Sequence, residues 1–317
     1  MYEDFYRLRK KPFQLNADIE FFYNSKIHQK ALTYMRYGIT KGEGFIVITG
    51  TPGTGKTLLV KQLVNSLNKE KVAMGVIVSS QVGANDLLGV IATAFGMPKR
   101  SENKAELLAN IERFFIEQVM SGKKVLLIID EAQNLPKDAL EELRMLSNFE
   151  RNGRLLLQTF LVGQTQLTEK LVSPEMEQFS QRIVATCQLK PFNEEETRNY
   201  ILFRLKKVGW QKNPEFTEEV FSLVSEYCQG IPRRINSLCD RLFLFGYLEE
   251  LRLFDCEQVR KVIADIEEEA APLNESYFDM SDPELEENVM VNGSLEQRVA
   301  ALENTIAKLR QALGVKS

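Results

Sequence analysis

Gly50, Gly53, Gly55, Lys56 and Thr57 stand together in Phe45-Ile-Val-Ile-Thr-Gly-Thr-Pro-Gly-Thr-Gly-Lys-Thr57, directly after an apolar, β-branched run. Glycine tolerates backbone angles that other residues resist, so the chain can curl there and aim successive N–H groups at an anion. A helix starting at such a loop adds the positive end of its dipole. The spacing G-x-x-x-x-G-K-T between a strand and a helical pattern is that of a phosphate-binding loop. In that frame Gly50, Thr51, Pro52, Gly53, Thr54, Gly55 and Leu58 surround a nucleotide. Lys56 reaches its β- and γ-phosphates, and Thr57 holds Mg²⁺. Downstream, Lys124-Val-Leu-Leu-Ile-Ile-Asp-Glu131 is an apolar run ending in two acids. Asp130 would bind Mg²⁺ directly or through water, and Glu131 would orient and deprotonate an attacking water. A strand ending in two solvated acids is the plain alternative. The phosphate loop upstream favours the chemical reading, hydrolysis of ATP with Mg²⁺.

These groups need a sheet to bring them together. Strands are expected at 45–50, 72–79, 124–130, 155–162 and 183–189, with helical patterns at 56–69, 85–95, 102–120 and 137–150. Strands alternating with helices imply βαβ units and a parallel sheet sandwiched by helices, an α/β fold. From Asn193 onward only helical patterns remain, at 193–208, 217–228, 232–248 and 255–268. The expected organisation is therefore a lead-in at 1–44, a nucleotide-binding α/β domain at 45–192 and an all-α lid at 193–268. Residues 269–293 are acidic and proline-punctuated, and read as a flexible linker.

The last stretch carries Leu295, Val299, Leu302, Ile306, Leu309 and Leu313 in alternating steps of four and three. Val299, Ile306 and Leu313 take heptad position a, and the leucines at 295, 302 and 309 take d. This pattern predicts a coiled-coil helix over 294–313 that favours a parallel dimer. Ser294 and Gln297 form a capping box, and Arg298 could pair with Glu303 of a partner helix. A lone amphipathic helix packing back on the body is the other reading. A helix this short is marginal alone in water, so it calls for a partner.

The chain has 317 residues, 44% hydrophobic and 26% charged, with net charge −4. That is ordinary for a globular protein and shows no basic footprint for nucleic acid. Cys187, Cys228, Cys239 and Cys256 lack metal or redox spacing and read as free thiols in a reducing compartment. No run is long and apolar enough to span a bilayer, and Met1-Tyr-Glu-Asp-Phe-Tyr lacks the features of a signal peptide. Both points predict a cytoplasmic protein, able to dock at the inner membrane through a partner. His28, the one histidine, has no neighbouring ligands at metal spacing and reads as structural.

A phosphate-loop sheet followed by a helical lid is the layout of an AAA+ ATPase. In such a machine Gln164, where the strand Leu155–Gly163 ends, could position the attacking water (sensor 1), or could simply begin the next helix. Arg182, before the last strand, could act as an arginine finger on ATP held by a neighbouring subunit, or could be a surface arginine. Arg233, in Gly230-Ile-Pro-Arg-Arg234, could reach the γ-phosphate from the lid (sensor 2), with Arg234 as the fallback and a solvated basic pair as the bland reading. Phe13, after Pro12, could line the adenine pocket.

The chain resembles the secretion ATPases of the general secretion pathway protein A type, and most of all their relatives encoded with exosortase (PEP-CTERM) and exopolysaccharide systems. The resemblance is carried by Met1-Tyr-Glu-Asp-Phe-Tyr, Lys11-Pro-Phe13, Gly42-Glu-Gly-Phe-Ile-Val-Ile-Thr-Gly50, Ile129-Asp-Glu-Ala-Gln133 and Leu161-Val-Gly-Gln164. Gln181-Arg182-Ile and Gly230-Ile-Pro-Arg-Arg-Ile-Asn-Ser-Leu-Cys-Asp240 continue it, over about residues 1–268. It implies Lys56 and Thr57 on phosphate and Mg²⁺, Asp130 and Glu131 in the Walker B role, Gln164 as sensor 1, Arg182 as finger and Arg233 as sensor 2. It also implies self-association, as a dimer or ring, and membrane-bound secretion or export proteins as partners. The expected function is an ATPase that drives or regulates assembly of an envelope secretion or exopolysaccharide export system. A DNA-associated regulator of the origin-recognition or transposition-targeting kind is the second reading, and a slow ATP-dependent signalling switch the third.

Overall fold

The structure, a computed structural model, describes residues 1–78, 83–98 and 103–278. Five strands, β1 (Phe45–Gly50), β2 (Val72–Val78), β3 (Lys124–Asp130), β6 (Leu157–Gly163) and β7 (Ile183–Leu189), form one sheet in the order β2-β3-β6-β1-β7. Every pairing is parallel. Strands β1 and β6 are buried along their whole length, as a parallel sheet covered on both faces requires. Neighbouring residues point to opposite faces and build two cores. Val47, Leu127, Ile129 and Leu161 face α4 (Ala84–Ala94), α5 (Lys104–Met120) and α6 (Lys137–Leu146). Ile46, Ile48, Leu126, Ile128 and Phe160 face α2 (Lys26–Lys41) and α3 (Lys56–Ser66).

The expected strands and helices are present, with ends shifted by a few residues. One departure has a local cause. The helix expected to reach residue 150 stops at Leu146, and the chain turns back through the short antiparallel strands β4 (Glu150–Arg151) and β5 (Arg154–Leu155). Asn152 and Gly153 between them both have positive φ, 52° and 71°. An Asn-Gly pair between two short runs is a hairpin signal. The short helices α1 (Tyr2–Phe5), α7 (Thr165–Leu171) and α8 (Glu177–Ser180) were not anticipated either.

The helical layers comprise α9 (Glu194–Lys207), α10 (Glu218–Cys228), α11 (Pro232–Leu248) and a two-stranded ladder of β8 (Glu215–Phe216) with β9 (Leu253–Phe254). Asn193 and Glu196 close a capping box at the start of α9, and Pro232 opens α11 where its missing N–H costs nothing. The core here is aromatic: Phe216, Phe221, Phe243 and Phe254 meet ring to ring. The first residues of the chain complete it. Tyr2, Tyr6 and Phe13 all lie against Phe243, and the Tyr2 hydroxyl donates to Asp240. The lead-in thus belongs in part to the helical layers.

Residues Met1–Val259 form one compact unit, and the chain from Arg260 another. Helix α12 (Cys256–Phe278) runs on past residue 268, where the linker was expected to begin. Glu267-Glu268-Glu269-Ala270-Ala271 are residues of low cost in a helix, and the helix then continues through Pro272 against that residue's preference. The rest of that linker and the heptads of 294–313 lie outside the described residues. Cys187, Cys228 and Cys239 are buried free thiols and Cys256 is half-buried. Among the described residues no helix is long and apolar enough to cross a membrane.

Candidate functional site

Register brings the chemistry to one edge of the sheet. Thr49 of β1 lies opposite Gly163 of β6, and Ile129 of β3 opposite Leu161. The phosphate loop, Asp130-Glu131 and Gln164 therefore all leave the sheet at the carboxyl ends of its central strands, where open α/β sheets bind ligands. Gly53 and Gly55 have φ of 86° and 93°, and Gly55 caps the start of α3. Only glycine adopts those angles without strain. A Cβ at Gly53 would also meet the Arg233 side chain at 2.8 Å.

The Thr57 hydroxyl donates to Asp130 Oδ2 at 2.8 Å, and the Glu131 N–H donates to Asp130 Oδ1 at 3.0 Å. Lys56 Nζ donates to the carbonyls of Gly50 and Thr51 at 2.9 and 3.1 Å. Burial holds its pKa below the ordinary lysine value, and the carboxylates of Glu131 and Asp130 push it part of the way back. Glu131 has φ of 54°, a left-handed backbone in a residue with a side chain, and such strain collects at working sites. A cleft of about 440 Å³ is lined here by Gly53, Gly55, Lys56, Thr57, Glu131, Gln164 and Arg233. Leu15 to Asp18, Phe21, Leu58, Tyr200, Arg204 and Asn236 make up most of the remaining wall. The donor set fits ATP and Mg²⁺. A hydroxyl beside a carboxylate is a hard-oxygen pair suited to Mg²⁺. The Thr51 Oγ1, also in this loop, is buried without a hydrogen-bond partner among the described residues.

The sequence-predicted residues divide into three groups. Lys56, Thr57, Asp130, Glu131, Gln164 and Arg233 come together. Gln164 caps α7, and Arg233 stands in the first turn of α11 with its N–H on the Gly53 carbonyl at 3.3 Å. Arg234 does not line the cleft; its guanidinium donates to Gln229. Arg182 lies at the other end of the sheet. Its carbonyl accepts from Phe45 N–H, and β7 runs beside β1 from Ile183 opposite Phe45 to Leu189 opposite Gly50. Six strand residues of about 3.3 Å each put it roughly 20 Å from the phosphate loop of its own chain. Phe13 is a correction. Its ring is fully buried against Phe243 and is absent from the cleft wall, because the aromatic core of the helical layers claims it.

Three further residues, Gln133, Lys170 and His28, hold these loops with little signal of it in the sequence. Gln133 Nε2 donates to Glu131 Oε2 at 2.7 Å, while its Oε1 accepts from the Gln164 N–H at 2.9 Å. One amide thus sets the Glu131 carboxylate against the start of α7. Lys170 secures the same loop by donating to the carbonyls of Gln133 and Leu135. Its position two residues after Glu131 is the only sequence hint for Gln133. His28 is 3% exposed and lies 3.1 Å, through Nε2, from the Thr54 carbonyl. A carbonyl can only accept, so Nε2 carries the proton and Nδ1 accepts from the Ser25 hydroxyl at 2.8 Å. Burial holds its pKa below the ordinary value against the opposing pull of that carbonyl. The histidine is structural, as expected, and what it supports is the phosphate loop.

A larger depression of about 850 Å³, bordered by Arg7, Lys212 and Arg252, contains none of these groups.

Comparison with known proteins agrees with the geometry. Residues 39–171 match the AAA domain family. General secretion pathway protein A of Aeromonas hydrophila is 34% identical over 248 residues, 78% of this chain and 45% of that protein. The ATP-dependent target DNA activator B of Escherichia phage D108 is 30% identical over 136 residues, 43% of this chain and 41% of that protein. The crystal structure of Cdc6p from Pyrobaculum aerophilum superposes with a TM-score of 0.60 at 18% identity, over 78% of this chain and 70% of that one, which establishes the shared fold. The chain spans about half the length of the curated relatives it matches. Residues 39–171 thus match the AAA domain family on the residues that form the phosphate loop and its acids, and 78% of the chain is similar to general secretion pathway protein A.

Proposed function

We infer that the protein is a cytoplasmic, Mg²⁺-dependent ATPase that drives or regulates assembly of an envelope secretion or export system. The observation that carries the chemistry is the convergence of Lys56, the Thr57–Asp130 pair, Glu131, Gln164 and Arg233 on one cleft. Loop N–H groups and Lys56 hold the phosphates. Thr57 and Asp130 would hold Mg²⁺, which would supply compensation for the phosphate charge. Glu131, oriented by Gln133, takes the proton of the attacking water. Gln164 places that water, and Arg233 reports phosphate state to α11. Arg182, too far from its own cleft, serves a neighbour's, which makes turnover depend on self-association. The secretion assignment is supported by the kinship with general secretion pathway protein A.

The test is phosphate release against protein concentration. Specific activity should rise with concentration in the native chain and be lost in Arg182→Ala. Activity that is flat with concentration and indifferent to Arg182 would remove the shared site. A second reading is favoured by one observation, the match to a target DNA activator. ATP-dependent, salt-sensitive retention on DNA would support that reading.

A further inference from the structure

The helical layers bury one charge that the hydrolytic chemistry does not use. Arg204 of α9 is 3% exposed, and no ion pair among the described residues includes it. Its guanidinium instead donates Nε to the Pro12 carbonyl at 2.6 Å, Nη1 to the Tyr200 hydroxyl at 2.7 Å and Nη2 to the Gln14 carbonyl at 3.3 Å. It sits 4.6 Å over the Phe21 ring and 5.6 Å from that of Tyr200. A cation removed from water is costly unless it is compensated. Here carbonyl dipoles and ring faces do what a carboxylate usually does.

The groups it joins lie in separate parts of the fold. Pro12, Gln14 and Phe21 belong to the segment that leaves the aromatic core at Phe13 and reaches α2 at Lys26. Residues 15–18 of that segment line the cleft. Tyr200 passes its own hydroxyl to Asn236 Oδ1 at 2.9 Å, on α11 and one turn beyond Arg233. A planar fork with donors on several sides can hold two carbonyls and a phenol at once, which a lysine cannot do.

We propose that Arg204 is a positioning residue that assembles the nucleoside end of the cleft, holding residues 12–21 against α9 so that base and ribose meet a formed wall. This deepens the ATPase reading and rests on it. The phosphates are held by loop backbone and Lys56. A ligand with phosphates but no nucleoside therefore has no need of this wall.

The experiment titrates ATP and inorganic tripolyphosphate, each with Mg²⁺, into the native chain, Arg204→Lys and Arg204→Met. Lysine keeps the charge and loses the fork; methionine loses both. Both variants should bind ATP about tenfold more weakly or worse, and bind tripolyphosphate as the native chain does. Undiminished tripolyphosphate binding also certifies that the variants are folded. Native-like ATP affinity in Arg204→Lys, or a parallel loss of both ligands, overturns the proposal. Should Arg204→Met not fold, Phe21→Leu removes the ring beneath the guanidinium and is expected to show the same split. A native chain that binds neither ligand would defeat the nucleotide reading itself. Native binding of both, with variants unchanged, defeats only the role of Arg204.

Discussion

The two ends of the cleft are built in opposite ways. At the phosphate end the working groups come from short, contiguous segments: residues 50–57 on one loop, and Asp130 to Gln133 on another. They meet because β1, β3 and β6 end in register. At the nucleoside end no local pattern exists. Phe21, Tyr200, Arg204 and Asn236 come from a single 3-10 turn and two α-helices, and the bond from Arg204 to Pro12 spans 192 positions. The first end depends on backbone geometry and the second on side chains locked to one another. Substitutions should therefore fail differently at the two ends.

The largest effect is expected at the phosphate end. Lys56→Ala should weaken ATP and tripolyphosphate alike, on the order of a hundredfold, in an equilibrium titration. Weakening of ATP alone would erase the distinction between the ends. At the same end Glu131→Gln should lower kcat, a different quantity, by about 10² to 10⁴ while ATP still binds. Steady-state kinetics beside a binding titration separate the two effects, and a loss confined to KM would assign Glu131 to binding. Gln133→Ala should cost roughly tenfold in kcat with KM little changed, the loss of one hydrogen bond to a charged group. Unchanged turnover would show that Glu131 finds its orientation without the amide.

The smallest effect belongs to His28. Its folded pKa is depressed below 6.5 by burial. Its contribution to stability is therefore complete above the unfolded value and is lost as pH falls through the folded one. On acidification from neutral pH toward 5, the melting temperature of the native chain should drop a few degrees more than that of His28→Gln. Equal drops would mean that the imidazole does not titrate with unfolding.

The same contrast governs what could be read from the residues alone. The sheet, its parallel sense and the place of Asp130 and Glu131 at a strand end beside the phosphate loop were legible, because strand–helix alternation and the G-x-x-x-x-G-K-T spacing are local patterns. Gln164 and Arg233 were legible in place because each stands directly at an element boundary. Phe13 was misplaced for the converse reason: an aromatic after proline looks the same whether it meets a base or the ring of Phe243. Gln133 and Arg204 carried no sign of their partners, since a polar residue on a helix or loop acquires them only when distant segments pack. His28 was legible as structural, while its contact with Thr54 was not.

The burial of Tyr2, Tyr6 and Phe13 against Phe243 has a consequence for synthesis. These rings are synthesised well before the residue they pack against, which follows 230 positions after Phe13. At typical elongation rates that is a wait of roughly 10 to 50 s with an aromatic segment unprotected. Translation must pass Phe243 before Tyr2, Tyr6 and Phe13 can be buried, so a product stalled short of it leaves these rings exposed. An affinity tag fused ahead of Met1 would sit beside that late-closing seam, where it can slow the final step of folding without touching the cleft.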